Sequence, residues 1–158
     1  MTKATSFGCA ALVAAAAWIG SSAYAQEAAA EPLINPNTAT EAQLAKVPGL
    51  TPAIAAEIAK RRPLKSITDV TAILKQQGLT QEQITDVYRK VFIPINLNTA
   101  TDEEILSIPG IGKRMLHEFK EYRPYNAIEQ FRREIGKYVD KQEVARLEKY
   151  VTLQGAGT

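Results

Sequence analysis

The chain has almost none of the residues that thiol and metal chemistry require. Its one cysteine is Cys9, near the start, and its one histidine is His117. A single thiol cannot form a disulfide within the chain, and a metal site built on His117 would have no second candidate ligand. The sequence also shows no nucleophile–base pair. We therefore expect no enzymatic activity, no metal, no cofactor and no small-molecule substrate.

The chain also lacks a marked excess of charge of one sign. Its formal net charge is +2, and residues 26–158 hold 18 basic and 17 acidic residues, for +1. This balance is not that of a strongly basic nucleic-acid-binding protein. The distribution is uneven, because residues 34–94 hold 8 basic and 5 acidic residues whereas residues 95–153 hold 10 of each. The first of these regions is the basic one.

Residues 1–25 have the pattern of a signal peptide. Lys3 provides a positive start, Phe7–Ile19 is an apolar run rich in alanine, and Ala23-Tyr24-Ala25 is a small-x-small site that a signal peptidase accepts. The apolar run is shorter than the roughly 20 residues that span a bilayer. Cleavage near Ala25 is therefore favoured over a membrane anchor. We expect a periplasmic or secreted protein with no stable membrane span after cleavage.

The rest of the chain contains an internal repeat. Ile34–Thr40 reads INPNTAT and Ile95–Thr101 reads INLNTAT, 61 positions later. The match continues through VPGL and IPGI, and through Arg-Pro at 62–63 and 123–124; near the end the offset falls to 60. Such a repeat predicts one supersecondary unit used twice.

The repeat divides the chain into segments. We predict a linker at 26–33, a first unit at 34–94, a second unit at 95–153 and a disordered tail at 154–158. The apolar segment Val91–Ile95 joins the two units and is unlike a free linker. The units are expected to pack on each other or to stand as two minimal bundles.

Capping signals predict an all-α fold of two tandem units with about four short helices each. A Thr or Asp three residues before a Glu or Gln marks a helix start. These pairs are Thr40 with Gln43, Thr80 with Gln83, Thr101 with Glu104, and Asp140 with Glu143, and Ser66 is a further cap. Apolar residues between these starts follow a 3.6-residue period. No segment alternates with a period of two, so no sheet is expected.

One turn carries the pattern of an anion site. Gly110-Ile111-Gly112 separates two predicted helices, and Lys113 and Arg114 follow at once. Two glycines allow positive φ, and Ile111 can fill the gap between the helices. Free N–H groups at the start of the second helix favour phosphate. His117 and Lys120 lie close by in sequence. The glycines also suit a purely structural αα-hairpin, and this alternative remains open.

These residues resemble a known family. The pattern I-N-x-N-T-A-T, then P-G-I-G, then a helix ending in Y-R-P is similar to the helix-hairpin-helix domain of ComEA-type competence proteins. The resemblance is strong over residues 34–64 and 95–125 and weak over 65–93 and 126–153. It implies an exported receptor for double-stranded DNA. It also implies that residues 110–114 contact the phosphate backbone without reading bases.

The first unit departs from the family pattern. Its turn is Gly49-Leu50-Thr51, in which Thr51 replaces the second glycine and can cap the helix, and Pro52 has no N–H to donate. Gly78 marks a degenerate third hairpin, and Asp140 puts a carboxylate where a fourth would bind phosphate. Lys60, Arg61, Arg62 and Lys65 form a basic group that suits either a DNA contact or a solvated helix end, with the second interpretation favoured. Gly49, Leu50, Thr51, Gly78, Lys60 and Arg61 are thus the weaker candidates.

Two functions from different classes follow from the sequence. The first is sequence-independent binding of double-stranded DNA, with a role in DNA uptake. The second is an interaction or scaffold protein that keeps the fold and binds a protein partner. Salt dependence separates them, because phosphate contacts weaken steeply with salt whereas an apolar interface does not.

Overall fold

A computed structural model describes residues 33–154, which form an all-α fold, as predicted. Residues 34–94 contain four helices: α1 (Glu41–Leu44), α2 (Pro52–Lys60), α3 (Ile67–Gln76) and α4 (Gln81–Tyr88). The next four are α5 (Asp102–Leu106), α6 (Lys113–Glu121), α7 (Ile128–Ile135) and α8 (Lys141–Glu148). The predicted leader and most of the predicted linker and tail lie outside the described residues.

The expectation of no sheet needs a small correction. Strands β1 (Ile95–Asn96) and β2 (Val151–Thr152) form a parallel pair of two residues each. Ile95 N donates to Tyr150 O at 2.9 Å, and Leu97 N donates to Thr152 O at 2.9 Å. Strands this short leave no room for a period-two pattern in the sequence.

The first half closes on itself in the same way. Ile34 N donates to Lys90 O at 2.7 Å, and Phe92 N donates to Ile34 O at 3.1 Å, which makes a parallel bridge between Ile34 and Val91. Each half therefore pairs its own first segment with its own last segment. The two copies of the sequence repeat are therefore closed by the same kind of backbone pairing.

The predicted capping residues start their helices. Thr40, Ser66, Thr80 and Thr101 each form a complete capping box, with Asp69 as the partner of Ser66. Asp140 accepts a hydrogen bond from Glu143 N at 2.8 Å, but the reciprocal bond from its own N–H to Glu143 is not made. Of the four predicted boxes, the one at Asp140 is therefore half formed.

An Asn and an Arg in each half tie the unit's N-terminal loop to the segment after its second helix. Asn37 exchanges two hydrogen bonds with the backbone of Leu64, and Asn98 does the same with Tyr125, all between 2.7 and 2.9 Å. Arg62 donates to Pro36 O and Ala39 O. Arg123 donates equivalently to Leu97 O and Ala100 O. The arginines of both Arg-Pro pairs are thus structural.

The two halves share one hydrophobic core. The joining segment is buried at Val91, Phe92, Ile93 and Ile95, and the Phe92 ring meets Tyr150 edge to face with centroids 4.8 Å apart. Helix α3 of the first half also packs against α5 of the second. The buried residues of both halves form one continuous cluster, so the halves pack on each other. Within residues 33–154, no helix has the length and apolar character needed to cross a membrane.

Candidate nucleic-acid interface

The turn between α5 and α6 places an uncapped helix N-terminus at the surface. Gly110 has φ +87°, which favours glycine, and Ile111 N donates to Ile108 O at 3.1 Å to close the turn. Gly112 has φ −112° and ψ −179°, which is extended backbone. The expectation of positive φ at both glycines is therefore wrong for Gly112. Ile111 is half-buried against the core, as a plug between the helices should be.

Gly112 leaves the backbone N–H groups at the start of α6 without a cap. It is the N-cap of α6 and provides no side-chain hydrogen bond. The first intrahelical bond is from Leu116 N to Gly112 O at 3.0 Å, so the N–H groups of residues 113–115 precede the helical ladder. A β-carbon at Gly112 would meet no atom within 4 Å. Packing therefore does not require glycine here, and the N–H groups are left without a side-chain cap, as in helix N-termini that bind anions.

The corresponding helices of the other three hairpins are capped by side chains. Thr51 Oγ1 accepts from Ile54 N at 3.3 Å, and Thr80 Oγ1 accepts from Gln83 N at 3.3 Å. Asp140 caps α8 with a carboxylate. Among these four helix starts, that of α6 alone leaves its donors to an external partner.

Two exposed cations follow the open turn. Lys113 and Arg114 occupy the first turn of α6, which has no acidic residue. The Arg114 guanidinium lies over the Tyr138 ring, 5.9 Å from its centroid, whereas Lys113 makes no ion pair within residues 33–154. Cations at a helix N-terminus oppose the dipole, by about 0.3–1 kcal/mol each at low ionic strength. A bound anion would relieve this repulsion.

The rest of the expected basic neighbourhood is neutralised. Lys120 Nζ lies 2.6 Å from Asp102 Oδ1, which ties α6 to α5. His117 Nε2 lies 3.2 Å from Glu121 Oε2. The inference that Lys120 and His117 would join Lys113 and Arg114 is therefore not supported by their contacts. Lys113 and Arg114 are therefore the two cations of α6 that remain available at the turn.

The weaker candidates lie in structural positions. Gly49 has φ +90°, Leu50 is buried, and Thr51 caps α2 as the sequence suggested. Gly78 has φ +82° and ends α3 before Thr80 caps α4. Leu50 of the first turn therefore belongs to the core, and the cap by Thr51 occupies an N–H donor that a ligand would need.

Two of the four basic residues near the end of α2 are held by other groups of the protein. Arg61 Nε lies 2.6 Å from Glu57 Oε1, and Arg62 is committed to backbone carbonyls. Lys60 and Lys65 remain exposed. This arrangement favours the interpretation as a solvated helix end.

Two residues beside the α5–α6 turn were not among the sequence candidates. Tyr138, in the loop before α8, lies under Arg114 and shares a 2.8 Å hydrogen bond with Tyr122. Arg146, from α8, lies beside Gly110, where its Nη2 would be 3.3 Å from a β-carbon at that position. Tyr138 is 24 positions from Arg114, and Arg146 is 36 positions from Gly110, so no local pattern links them to the turn.

Tyr138 belongs to a polar cluster behind α6. Its hydrogen bond with Tyr122, and next its bond with Glu118, raise the pKa of Tyr138, so its hydroxyl stays neutral. Glu118 is buried, and its Oε2 has no hydrogen-bond partner among the described residues. Burial raises the pKa of Tyr125, which is part of the core. Tyr122 and Tyr138 hydrogen-bond to each other and Tyr125 packs in the core, instead of forming a flat surface for stacking bases.

The comparisons with known proteins support the fold. A family described as helix-hairpin-helix motif matches residues 29–92. Motifs of this kind are commonly associated with nucleic-acid binding. No curated protein matches the chain significantly. No solved structure does so either. The matched region contains the turn that Thr51 caps, and it ends before Gly110.

Proposed function

We propose that this protein binds double-stranded DNA without sequence preference, through phosphates held at the turn between α5 and α6. In this proposal both halves are helix-hairpin-helix units of the ComEA type, and the second half makes the main contact. The residues in contact are Gly110, Ile111, Gly112, Lys113 and Arg114. Backbone N–H groups and two cations recognise a phosphate and carry no information about base sequence.

One observation carries the proposal. The N-terminus of α6 has no side-chain cap, no acid in its first turn, and two exposed cations. The other second helices of hairpins are capped by Thr51, Thr80 and Asp140. Each of these features lowers the stability of an isolated helix and favours a bound anion. The combination is better suited to holding phosphate than to stabilising the fold.

The charge balance limits how tightly DNA can be held. Residues 95–153 have no net charge, and residues 26–158 have a net charge of only +1. Long-range attraction is therefore weak. We expect a dissociation constant of roughly 10⁻⁴ to 10⁻⁶ M at physiological salt, which is the usual range for non-specific binding.

Export is part of the proposal. The pattern in residues 1–25 supports cleavage near Ala25 and a periplasmic or secreted protein, for which capture of external DNA during uptake is a fitting role. Mass spectrometry of the natural protein should find Gln26 as the first residue. An intact Met1 on a protein inside the cell would contradict export while leaving DNA binding open.

The test of DNA binding reverses the two cations of the turn. A gel shift with a non-specific duplex is measured at low and physiological salt for the unaltered chain and for Lys113→Glu/Arg114→Glu. Acids at a helix N-terminus suit the dipole, so the fold should survive. Binding should fall by more than about tenfold, because two phosphate contacts are replaced by repulsion.

The matched control is the same reversal in the first half. Lys60→Glu/Arg61→Glu changes net charge equally but lies at a solvated helix end, and we expect a much smaller loss. Arg62 is unsuitable as a control because it holds two backbone carbonyls. No detectable binding at low salt, or equal losses in both variants, would overturn the proposal.

A second candidate is docking of a protein partner. One observation favours it: Leu106 is 42% exposed and lines a shallow groove together with Thr71, Lys75 and Tyr88. This groove lies where α5 of the second half meets α3 and α4 of the first. A partner held there should bind with weak salt dependence and lose affinity in Leu106→Gln, whereas duplex binding should be unaffected by that change.

A further inference from the structure

A third cation lies against the proposed phosphate site. A β-carbon at Gly110 would be 3.3 Å from Arg146 Nη2, so the guanidinium of this α8 residue lies beside the turn, on the side to which a side chain at Gly110 would point. The Arg146 side chain is 33% exposed, which leaves it accessible from solvent. We propose that Arg146 contacts the bound phosphate together with Lys113 and Arg114, and that Glu143 both positions Arg146 and competes for it. This inference rests on the proposed function.

Glu143 and Tyr150 hold the guanidinium in place. Arg146 Nε donates to Glu143 Oε2 at 2.7 Å, and Arg146 Nη2 donates to Glu143 Oε1 at 2.6 Å. The Arg146 Cζ lies 5.7 Å from the centroid of the Tyr150 ring. A guanidinium is a planar fork with further N–H donors on its other edge, and phosphate is one of the anions that such forks bind. Arg146 is therefore oriented before any ligand arrives.

Glu143 sets the strength of this contact. Its carboxylate occupies two donors of Arg146 and cancels the charge that a phosphate would meet. A phosphate at the turn competes with Glu143 for the same guanidinium. Removing the carboxylate should therefore release Arg146 to the ligand, whereas removing the guanidinium should leave an acid beside the turn.

The first half places the opposite chemistry at this position. The 60-residue offset of α4 and α8 aligns Asp86 with Arg146. Asp86 Oδ1 lies 3.5 Å from Arg89 Nε, and a β-carbon at Gly49 would meet Val87 Cγ2 at 3.2 Å. The turn of the first half thus lies against an apolar side chain, whereas the turn of the second half lies beside a cation. This difference coincides with the presence of a side-chain cap on α2 and its absence on α6.

The test compares two arginines that make the same kind of ion pair. Arg132 forks onto Glu148 through Nε and Nη2, at 2.7 and 2.5 Å, but is not in contact with Gly110. Binding of the full chain to a labelled non-specific duplex is followed by fluorescence anisotropy over a salt series. We expect Arg146→Gln to weaken binding about threefold and to lower the salt slope by about one. Arg132→Gln should leave the slope unchanged.

Two further variants keep the test decisive. Arg146→Lys retains the charge but not the fork, so its affinity should fall between those of the unaltered chain and Arg146→Gln. Glu143→Gln should bind more tightly than Glu148→Gln, its matched control. If circular dichroism shows that Arg146→Gln does not fold, the comparison of Glu143→Gln with Glu148→Gln decides the outcome.

The outcomes separate this inference from the proposed function. Equal effects of Arg146→Gln and Arg132→Gln, while Lys113→Glu/Arg114→Glu still abolishes binding, would overturn the role of Arg146 and leave DNA binding intact. Equal affinities of Glu143→Gln and Glu148→Gln would overturn it too. If the unaltered chain binds no duplex, both proposals fail together.

Discussion

The two halves of the protein have the same backbone frame and different surface chemistry. In both, an Asn and an Arg hold the N-terminal loop, through Asn37 and Arg62 or through Asn98 and Arg123. In both, a glycine at positive φ opens the first hairpin. The halves differ two residues later, where Thr51 caps α2 but Gly112 leaves α6 without a side-chain cap. Exposed N-cap positions can change without disturbing the frame, because nothing packs against them.

The halves also differ in the chemistry of their buried residues. Leu64 and Ile73 of the first half correspond to Tyr125 and Glu134 of the second at the 61-residue offset. Glu134 is buried and is paired with Arg133, at 2.9 Å, and with Lys137. The second half therefore carries polar groups in its interior that require partners, whereas the first half is filled by apolar packing. The stability of the second half should therefore depend more strongly on solution conditions such as pH.

The largest effect on stability should come from removing the arginine that holds the N-terminal loop in each half. Arg62→Ala and Arg123→Ala each leave two backbone carbonyls without their charged donor. We expect each to lower the free energy of unfolding by about 3 kcal/mol, measured by urea denaturation. Replacement by Lys should recover only part of this, because the fork is lost. If either substitution lowers the free energy of unfolding by less than about 0.5 kcal/mol, the two arginines do not have equivalent structural roles.

A smaller effect should come from exchanging the N-cap chemistry of the halves. Gly112→Asp gives α6 the cap that Asp140 gives α8, and should stabilise the fold by about 0.5 kcal/mol through the cap and the helix dipole. The same change should weaken duplex binding, because the carboxylate occupies the donors and repels phosphate. Thermal unfolding and anisotropy measure the two effects.

Gly112→Asn is the matched control for charge. It offers a similar cap without the negative charge, so it should weaken duplex binding less than Gly112→Asp. Unchanged duplex affinity in Gly112→Asp would mean that the N-terminus of α6 is not the contact, and the difference between the two turns would then be structural only.

The smallest effect should be a dependence on acid that is confined to the second half. Hydrogen bonding to Lys137 lowers the pKa of Glu134, and hydrogen bonding to Arg132 lowers the pKa of Glu148, both from an ordinary value near 4.5. A carboxyl whose pKa is lower in the folded state stabilises the fold above its ordinary pKa. That stabilisation is lost as the pH falls through the lowered value.

Amide hydrogen exchange tests this dependence locally. Below about pH 4, protection in α7 and α8 should fall before protection in α3 and α4. Glu134→Gln/Glu148→Gln should remove most of the difference. Earlier loss of protection in α3 and α4 would contradict the assignment of acid sensitivity to the second half.

Local patterns in the sequence were sufficient for the helices and the repeat. Thr40, Thr80 and Thr101 cap where their spacing to Gln or Glu predicts, because a capping box lies within four consecutive residues. The role of Thr51 as a cap followed from the preference of Thr for the N-cap position, which is also local. The short strands did not follow, because Ile95 and Val151 are 56 positions apart. The half-formed box at Asp140 did not follow either, because Glu143 pairs with Arg146, which lies outside the four residues of the box.

Tertiary structure alone decided which charges are available at the candidate site. The sequence placed Lys113, Arg114, His117 and Lys120 together, but only the fold pairs Lys120 with Asp102, 18 positions away. It also brings Arg146 to Gly110 across 36 positions and commits Arg62 to the carbonyls of Pro36 and Ala39. Helix periods and caps arise from bonds between residues a few positions apart. The charge of a surface depends on which side chains the packing of helices brings into contact, and the sequence does not show that directly.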